Sequence, residues 1–188
     1  MKLDKGSSFY ICGRQEGFYR EEKYGHLSWK GKRKTFQKAF MEMYFHHPMC
    51  DLGDVSKNTA DPAEWRTEKK TINEHLDYKF IMALEGIDVA SNLKWVMSSN
   101  SIAVMPRPTC ETWFMEGTLI PNYHYIEIKP DFSDLEERLN YYIEHVDESL
   151  EIIRHAHEYV SQFKDKRREN LISLLVLDKY FKMTGQKS

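Results

Sequence analysis

Tyr78–Met105 reads YKFIMALEGIDVASNLKWVMSSNSIAVM, and this stretch decides the fold. Its first seven residues, Tyr78–Leu84, form a compact apolar run that stops at Glu85-Gly86, the pattern of a buried strand followed by a turn. Val89–Met97 then carries apolar residues at helical spacing, with Asp88 in position to cap a helix. Ile102–Met105 is a second buried strand, stopped by Pro106 and Pro108. Strand, helix and strand, with both strands mostly apolar, predict parallel strands covered on both faces.

The flanks extend the pattern. Upstream, Phe9–Cys12 and His26–Trp29 are short strand candidates on either side of a polar, Gly-punctuated Gly13–Gly25. Arg33–Phe45 reads as a helix, because Phe36, Phe40, Met43 and Tyr44 share one face. Cys50–Val55 is a strand candidate, Ser56–Lys70 a loop or lid, and Thr71–Leu76 a short helix. Downstream, His124–Ile128 alternates like a third buried strand. From about residue 133 the chain is mostly helical. Ser133 and Glu136 form a capping box, Leu135, Leu139, Tyr142 and Ile143 line one helix, and Ile152, Ala156, Tyr159 and Phe163 line the next. Leu171–Phe181 is a third helix, very apolar on one side. The expected fold is α/β: a Rossmann-like parallel sheet flanked by helices, with a helical carboxyl terminus, in a single domain over residues 1–188.

Composition narrows the function classes. Hydrophobic residues make up 41% and charged residues 30%, which is globular and not disordered. The net charge of −2 argues against a general nucleic-acid coat. The longest apolar run, Leu171–Leu177, is far short of the roughly 18–20 residues a membrane helix needs. Met1–Lys5 reads MKLDK with no apolar stretch behind it, so no secretory signal is expected. Cys12, Cys50 and Cys110 are isolated, as suits the cytoplasm.

Sheets of this kind bind ligands at the carboxyl ends of their strands. That rule singles out Glu85 and Gly86, where the chain turns sharply, and Ser91, Asn92 and Lys94 on the first helical turns. Free helix-start amides and the Lys94 charge suit a pyrophosphate. A routine strand-turn-helix with Lys94 on a solvated face explains the same residues, and neither a Walker loop nor a GxGxxG fingerprint is present. His46, His47, Cys50, Asp51 and Asp54 match no zinc spacing, so no metal is expected.

Several ordered motifs go further. LEGIDVASNLKWVMSSNS at Leu84–Ser101, Tyr78-Lys79 before it, Trp29-Lys30-Gly31 upstream, and Glu111-Thr-Trp-Phe-Met-Glu-Gly and Pro121-Asn-Tyr-His-Tyr-Ile downstream resemble the lipopolysaccharide-type members of glycosyltransferase family 90. His145 and Ala156–Phe163 fit the same family's tail, and the resemblance runs from about Lys2 onward. It implies the donor-binding, carboxyl-terminal half of a GT-B fold, a nucleotide-sugar donor (usually a UDP-sugar) and an inverting transfer to a glycan, lipid-linked glycan or lipopolysaccharide hydroxyl. It also implies that the acceptor surface and the Asp general base lie in an amino-terminal domain outside this chain. No catalytic residue is therefore assigned, and no cofactor is expected beyond the donor substrate. The chain alone is expected to bind nucleotide weakly and to transfer sugar poorly.

The motifs carry further candidates. Lys30, Gly31 and Arg33 follow the first probable strand, where cations pair with phosphate oxygens; the family usually has Trp-Arg-Gly where this chain has Trp29-Lys30-Gly31. Ser99 and Asn100 are candidates for ribose or sugar hydroxyls, Glu111 for a ribose hydroxyl pair, and Trp113 for a stacking wall. His124 sits in a shared motif with a pKa range suited to acid–base work. Lys164–Arg168 (KDKRR) is a candidate for peripheral contact with anionic headgroups at the inner face of the membrane. The rival reading is a non-catalytic nucleotide- or glycan-binding remnant, or a partner-binding domain that self-associates through an exposed apolar helix.

Overall fold

A computed structural model describes residues 24–31, 35–55, 62–86 and 88–186, with residues 24–31 and 35–37 described by backbone alone. The strand expected at Phe9–Cys12 and most of the Gly13–Gly25 loop lie outside them. Five strands form one sheet: β1 (Tyr24–Gly31), β2 (Cys50–Asp54), β3 (Tyr78–Met82), β4 (Ile102–Met105) and β5 (Ile126–Glu127). Their order is β2-β1-β3-β4-β5, and every pair is parallel. Leu27 pairs with Cys50 and Gly31 with Asp54, Phe80 with Ile102, and Val104 with Ile126. The chain leaves β1 toward one edge and later builds toward the other from β3. The topological switch point therefore lies between β1 and β3.

Strand periodicity fills two layers. Phe80, Met82, Leu84, Ile102, Val104 and Ile126 face one cluster, completed by α1 (Thr35–Tyr44) and α4 (Leu135–Glu144). Ile81, Ala83, Ala103, Met105 and Tyr125 face the other, with Leu93, Val96, Met97 and Phe114. Alternate residues of β3 and β4 thus enter opposite cores, which is why these strands read as unbroken apolar runs. α5 (Val146–Ser161) serves both layers: Ile152 and Ile153 join the first, Ala156 and Val160 the second.

Several boundaries depart from the sequence expectation. The helix expected at Val89–Met97 shrinks to a single turn, α3 (Leu93–Val96), preceded by bends. Asp88 accepts a hydrogen bond from the Val89 amide at 2.8 Å but starts no helix there. β5 keeps only two residues of His124–Ile128. The Ser133–Glu136 capping box does not form. Asp134 is the residue before α4, while Ser133 donates to Asp131 from its amide (3.1 Å) and hydroxyl (2.8 Å). A real capping box sits elsewhere, on α2 (Ile72–His75): the Thr71 hydroxyl accepts from the Glu74 amide, and the Glu74 carboxylate accepts from the Thr71 amide. The last helix, α6 (Lys166–Met183), has no buried residue. Among the described residues, no helix is long and apolar enough to cross a membrane.

Candidate functional site

A cleft of about 290 Å³ opens at the carboxyl ends of β3 and β4. Ala83, Val89, Ala90, Leu93 and Met105 give it an apolar lining, and Pro106, Pro108 and Pro130 close its sides. Its charged lining residues are Glu85, Glu116 and Arg107. Apolar walls with a few fixed polar groups are the usual make-up of a small-molecule site.

Both carboxylates are held by donors. Glu85 follows β3 and reaches across to the segment after β4. Its Oε1 accepts from the amides of Thr109 and Cys110, both at 3.0 Å, and its Oε2 from the Thr109 hydroxyl at 2.6 Å. Glu116 is only 2% exposed and opens the one-turn 3₁₀ segment Glu116–Thr118. It accepts from the Thr112 amide at 2.6 Å and the Thr112 hydroxyl at 2.7 Å. A buried carboxylate needs such partners, because an unpaired charge away from water is very costly.

The predicted residues divide. Glu85 and Gly86 line the cleft. Lys30 and Gly31 lie at the carboxyl end of β1, at the switch point, in register with Gly53 and Asp54. Arg33 lies outside the described residues. Asn92 has a scaffolding bond: its Nδ2 donates to the Met82 carbonyl at 2.9 Å and ties the bend to the end of β3. Ser91 is exposed and outside the cleft lining. Lys94 is also outside that lining. Its Nζ donates to the Thr112 hydroxyl at 3.3 Å and lies 5.7 Å from the Phe114 ring centre. Since α3 is one turn long, no extended helix start is present to cradle an anion.

The remaining candidates are not brought to the cleft. Ser99 and Asn100 are buried before β4, at the opposite end of that strand. The Ser99 hydroxyl donates to the Val96 carbonyl at 2.7 Å, and His157 of α5 lies 2.9 Å from the Ser99 carbonyl. These two residues, expected to hold sugar hydroxyls, lie at the amino end of β4 and outside the cleft lining. Glu111 is exposed, with its carboxylate over Gly117, 3.1 Å from where a Cβ would stand. Trp113 is 49% exposed and donates from Nε1 to Glu169 at 2.6 Å, pinning the start of α6. His124 precedes β5. Its Nδ1 accepts from the Ile120 amide at 2.9 Å, and burial, then the nearby His155, push its pKa down. That is a turn-locking histidine.

Arg107, Thr109 and Glu116 escaped the sequence reading, although the strand-end rule points at Arg107, two residues past β4. Among the described residues, no group of three His, Cys, Asp or Glu side chains is placed to hold a metal. His46 and His47 instead face Glu64 and Glu136, at 3.8 and 3.5 Å.

Comparisons with known proteins agree on the family. The family model described as glycosyl transferase family 90 matches residues 14–185. The O-glucosyltransferase LpsA of Dichelobacter nodosus is 37% identical over 185 residues, 97% of this chain and 57% of the relative. The chain thus spans little more than half the length of that curated relative. Among solved structures, the C-terminal domain of a glycosyl transferase group 1 family protein (LpcC) from Francisella tularensis superposes with a TM-score of 0.51 at 13% identity. The match covers 82% of this chain and 94% of that one. At that identity the likeness speaks for the fold alone: a parallel sheet flanked by helices, one half of a GT-B architecture. With the family model covering nearly the whole chain, the chain belongs to glycosyltransferase family 90.

Proposed function

We propose that this chain is the donor-binding part of a glycosyltransferase. It holds a nucleotide-sugar, a UDP-sugar in our reading, for inverting transfer to a hydroxyl of a glycan or lipopolysaccharide acceptor. One observation carries the reading: the apolar cleft at the carboxyl ends of β3 and β4 is bounded by Glu85, Gly86 and Glu116, all inside the segment that matches the family. The name of the Dichelobacter relative, an O-glucosyltransferase, supports transfer to oxygen.

The chemistry asks three things of such a site. The nucleoside needs an apolar slot, and Val89, Ala90, Leu93 and Met105 supply one. The departing diphosphate gathers negative charge and needs fixed donors or cations in a water-poor setting. The acceptor hydroxyl needs a base within hydrogen-bond reach. Glu85 and Glu116 are poor candidates for that base, because loop donors already engage their oxygens. We assign the base to a part of the enzyme outside this chain. We also assign its work to the cytoplasmic face of the membrane, where the exposed run Lys164–Arg168 suits anionic headgroups.

Calorimetric titration with UDP, UDP-glucose, GDP and CMP tests the reading. The expected result is saturable UDP binding with GDP and CMP weaker. Silence from every nucleotide rejects the donor site. UDP binding in a full-length protein that moves no sugar to any acceptor would favour a non-catalytic binding module.

A further inference from the structure

β4 ends at Met105, and the next three residues, Pro106, Arg107 and Pro108, all line the cleft. Among the described residues, Arg107 is the only cation lining the cleft; Lys94, the cation expected from sequence, is turned to Thr112. Its backbone has little freedom. Proline fixes φ at 106 and 108, and a residue before proline is itself restricted. The segment is also anchored at both ends. On one side Met105 pairs with Glu127, and its carbonyl accepts from the Ile128 amide at 3.2 Å. On the other, Glu85 grips the Thr109 amide, the Thr109 hydroxyl and the Cys110 amide. Arg107 therefore projects from a short strap whose exit is fastened by a carboxylate rising from β3.

The charge arrangement follows from the same bonds. Glu85 and Glu116 both spend oxygens on loop donors. Arg107 forms no ion pair among the described residues, and it is exposed at the mouth of the hollow, whose other two charged lining residues are the carboxylates engaged by those donors. A guanidinium held this way presents a planar fork that matches two phosphate oxygens at once.

We propose that Arg107 engages the diphosphate of the nucleotide in this cleft, and that Glu85 is a positioning residue acting through the Pro106–Cys110 strap. This rests on the donor-site reading above and names the residue that gives the site its preference for an anion. It also moves that role from Lys94 to Arg107.

The test compares UDP with uridine in calorimetric titrations of the full chain, for wild type, Arg107→Met, Arg107→Lys, Glu85→Gln and the Arg107→Met/Glu85→Gln double variant. Wild type should prefer UDP. Arg107→Met should lose about ten- to a hundredfold in UDP affinity, the worth of a charge-assisted hydrogen bond, and leave uridine affinity unchanged. Unchanged uridine binding also shows that the variant is folded. Arg107→Lys should recover part of the loss. Glu85→Gln should lose UDP affinity by a smaller factor, and the double variant should bind no worse than Arg107→Met, because one residue acts through the other. Wild-type UDP affinity in Arg107→Met overturns the assignment while leaving the donor cleft standing. Additive losses in the double variant overturn the positioning role of Glu85. Failure of wild type to bind UDP overturns the donor cleft and this assignment together.

Discussion

Leu93 and Lys94 are neighbours in α3, yet Leu93 lines the cleft and Lys94 does not. Consecutive residues of a helix are turned by about 100°, so a single turn that offers Leu93 to the cleft must swing the next side chain off it. Lys94→Met should accordingly cost UDP less than about threefold in affinity, well below the loss from Arg107→Met. A tenfold loss in titration would mean that the Lys94 side chain reaches the ligand after all. A second residue-scale prediction concerns Phe132, which is buried with φ 62, a left-handed backbone that side chains rarely adopt. The Tyr44 hydroxyl donates to its carbonyl at 2.6 Å, and Phe40 packs on its ring at 5.1 Å. Tyr44→Phe keeps the ring and deletes the bond, at a cost of about 1–2 kcal/mol. A thermal melt should show a lower midpoint; an unchanged midpoint would mean that the Tyr44 bond is not needed to hold the turn.

At the scale of elements, what was legible is what periodicity encodes. The runs at Phe80–Leu84 and Ile102–Met105 announce strands buried on two faces, and alternation sends their residues into separate cores. The strand-end rule points to Glu85 and Gly86, and both line the cleft. What failed was direction inside irregular segments. In ETWFMEG, Glu111 and Glu116 look alike, but only the backbone path sends Glu116 into the cleft and leaves Glu111 on Gly117. The pair Pro106 and Pro108 read as a stop signal and hid the arginine between them. Ser99 and Asn100 look like ligand residues by type, but they precede β4 and so lie at the end of the strand away from the cleft.

One element-scale prediction follows from α5 meeting that end of β4. His157 faces the Ser99 carbonyl, which accepts from Nε2 at 2.9 Å. Burial lowers the His157 pKa, the Ser99 bond opposes that, and the Lys164 charge adds to the lowering. The folded protein then binds fewer protons at this site than the unfolded chain, whose histidine titrates near 6.5. Stability from this residue is complete above about pH 6.5 and is lost as pH falls below it. His124, lowered mainly by burial, adds in the same direction. Glu74 and Glu151, with pKa values lowered from 4.5, act only at lower pH. The melting midpoint should fall between pH 7.5 and 5.5, and His157→Gln should flatten that fall. Equal slopes in wild type and variant would remove His157 as a cause.

At the scale of the whole molecule, α6 stands apart. It is fixed at its start, where Asp165 accepts from the Arg167 and Arg168 amides and Trp113 bonds Glu169, but it buries no residue along its eighteen. Leu171 and Leu174 through Leu177 are all at least half exposed, Leu174 at 63%. A run of large apolar side chains this exposed suits an interface better than water. Each half-exposed leucine forgoes about 1–2 kcal/mol of burial, and together they outweigh the surface pair of Asp178 and Lys182. The isolated chain should therefore associate with itself. Sedimentation velocity over a range of concentrations should show a mass that rises with concentration. Replacing Leu174, Leu177 and Phe181 with lysine should return it to the monomer, while UDP affinity stays unchanged because the helix is not part of the cleft lining. A chain that stays monomeric at every concentration would mean that α6 folds back onto its own domain in solution. If instead the lysine variant loses UDP along with its mass, the cleft is completed by the partner copy.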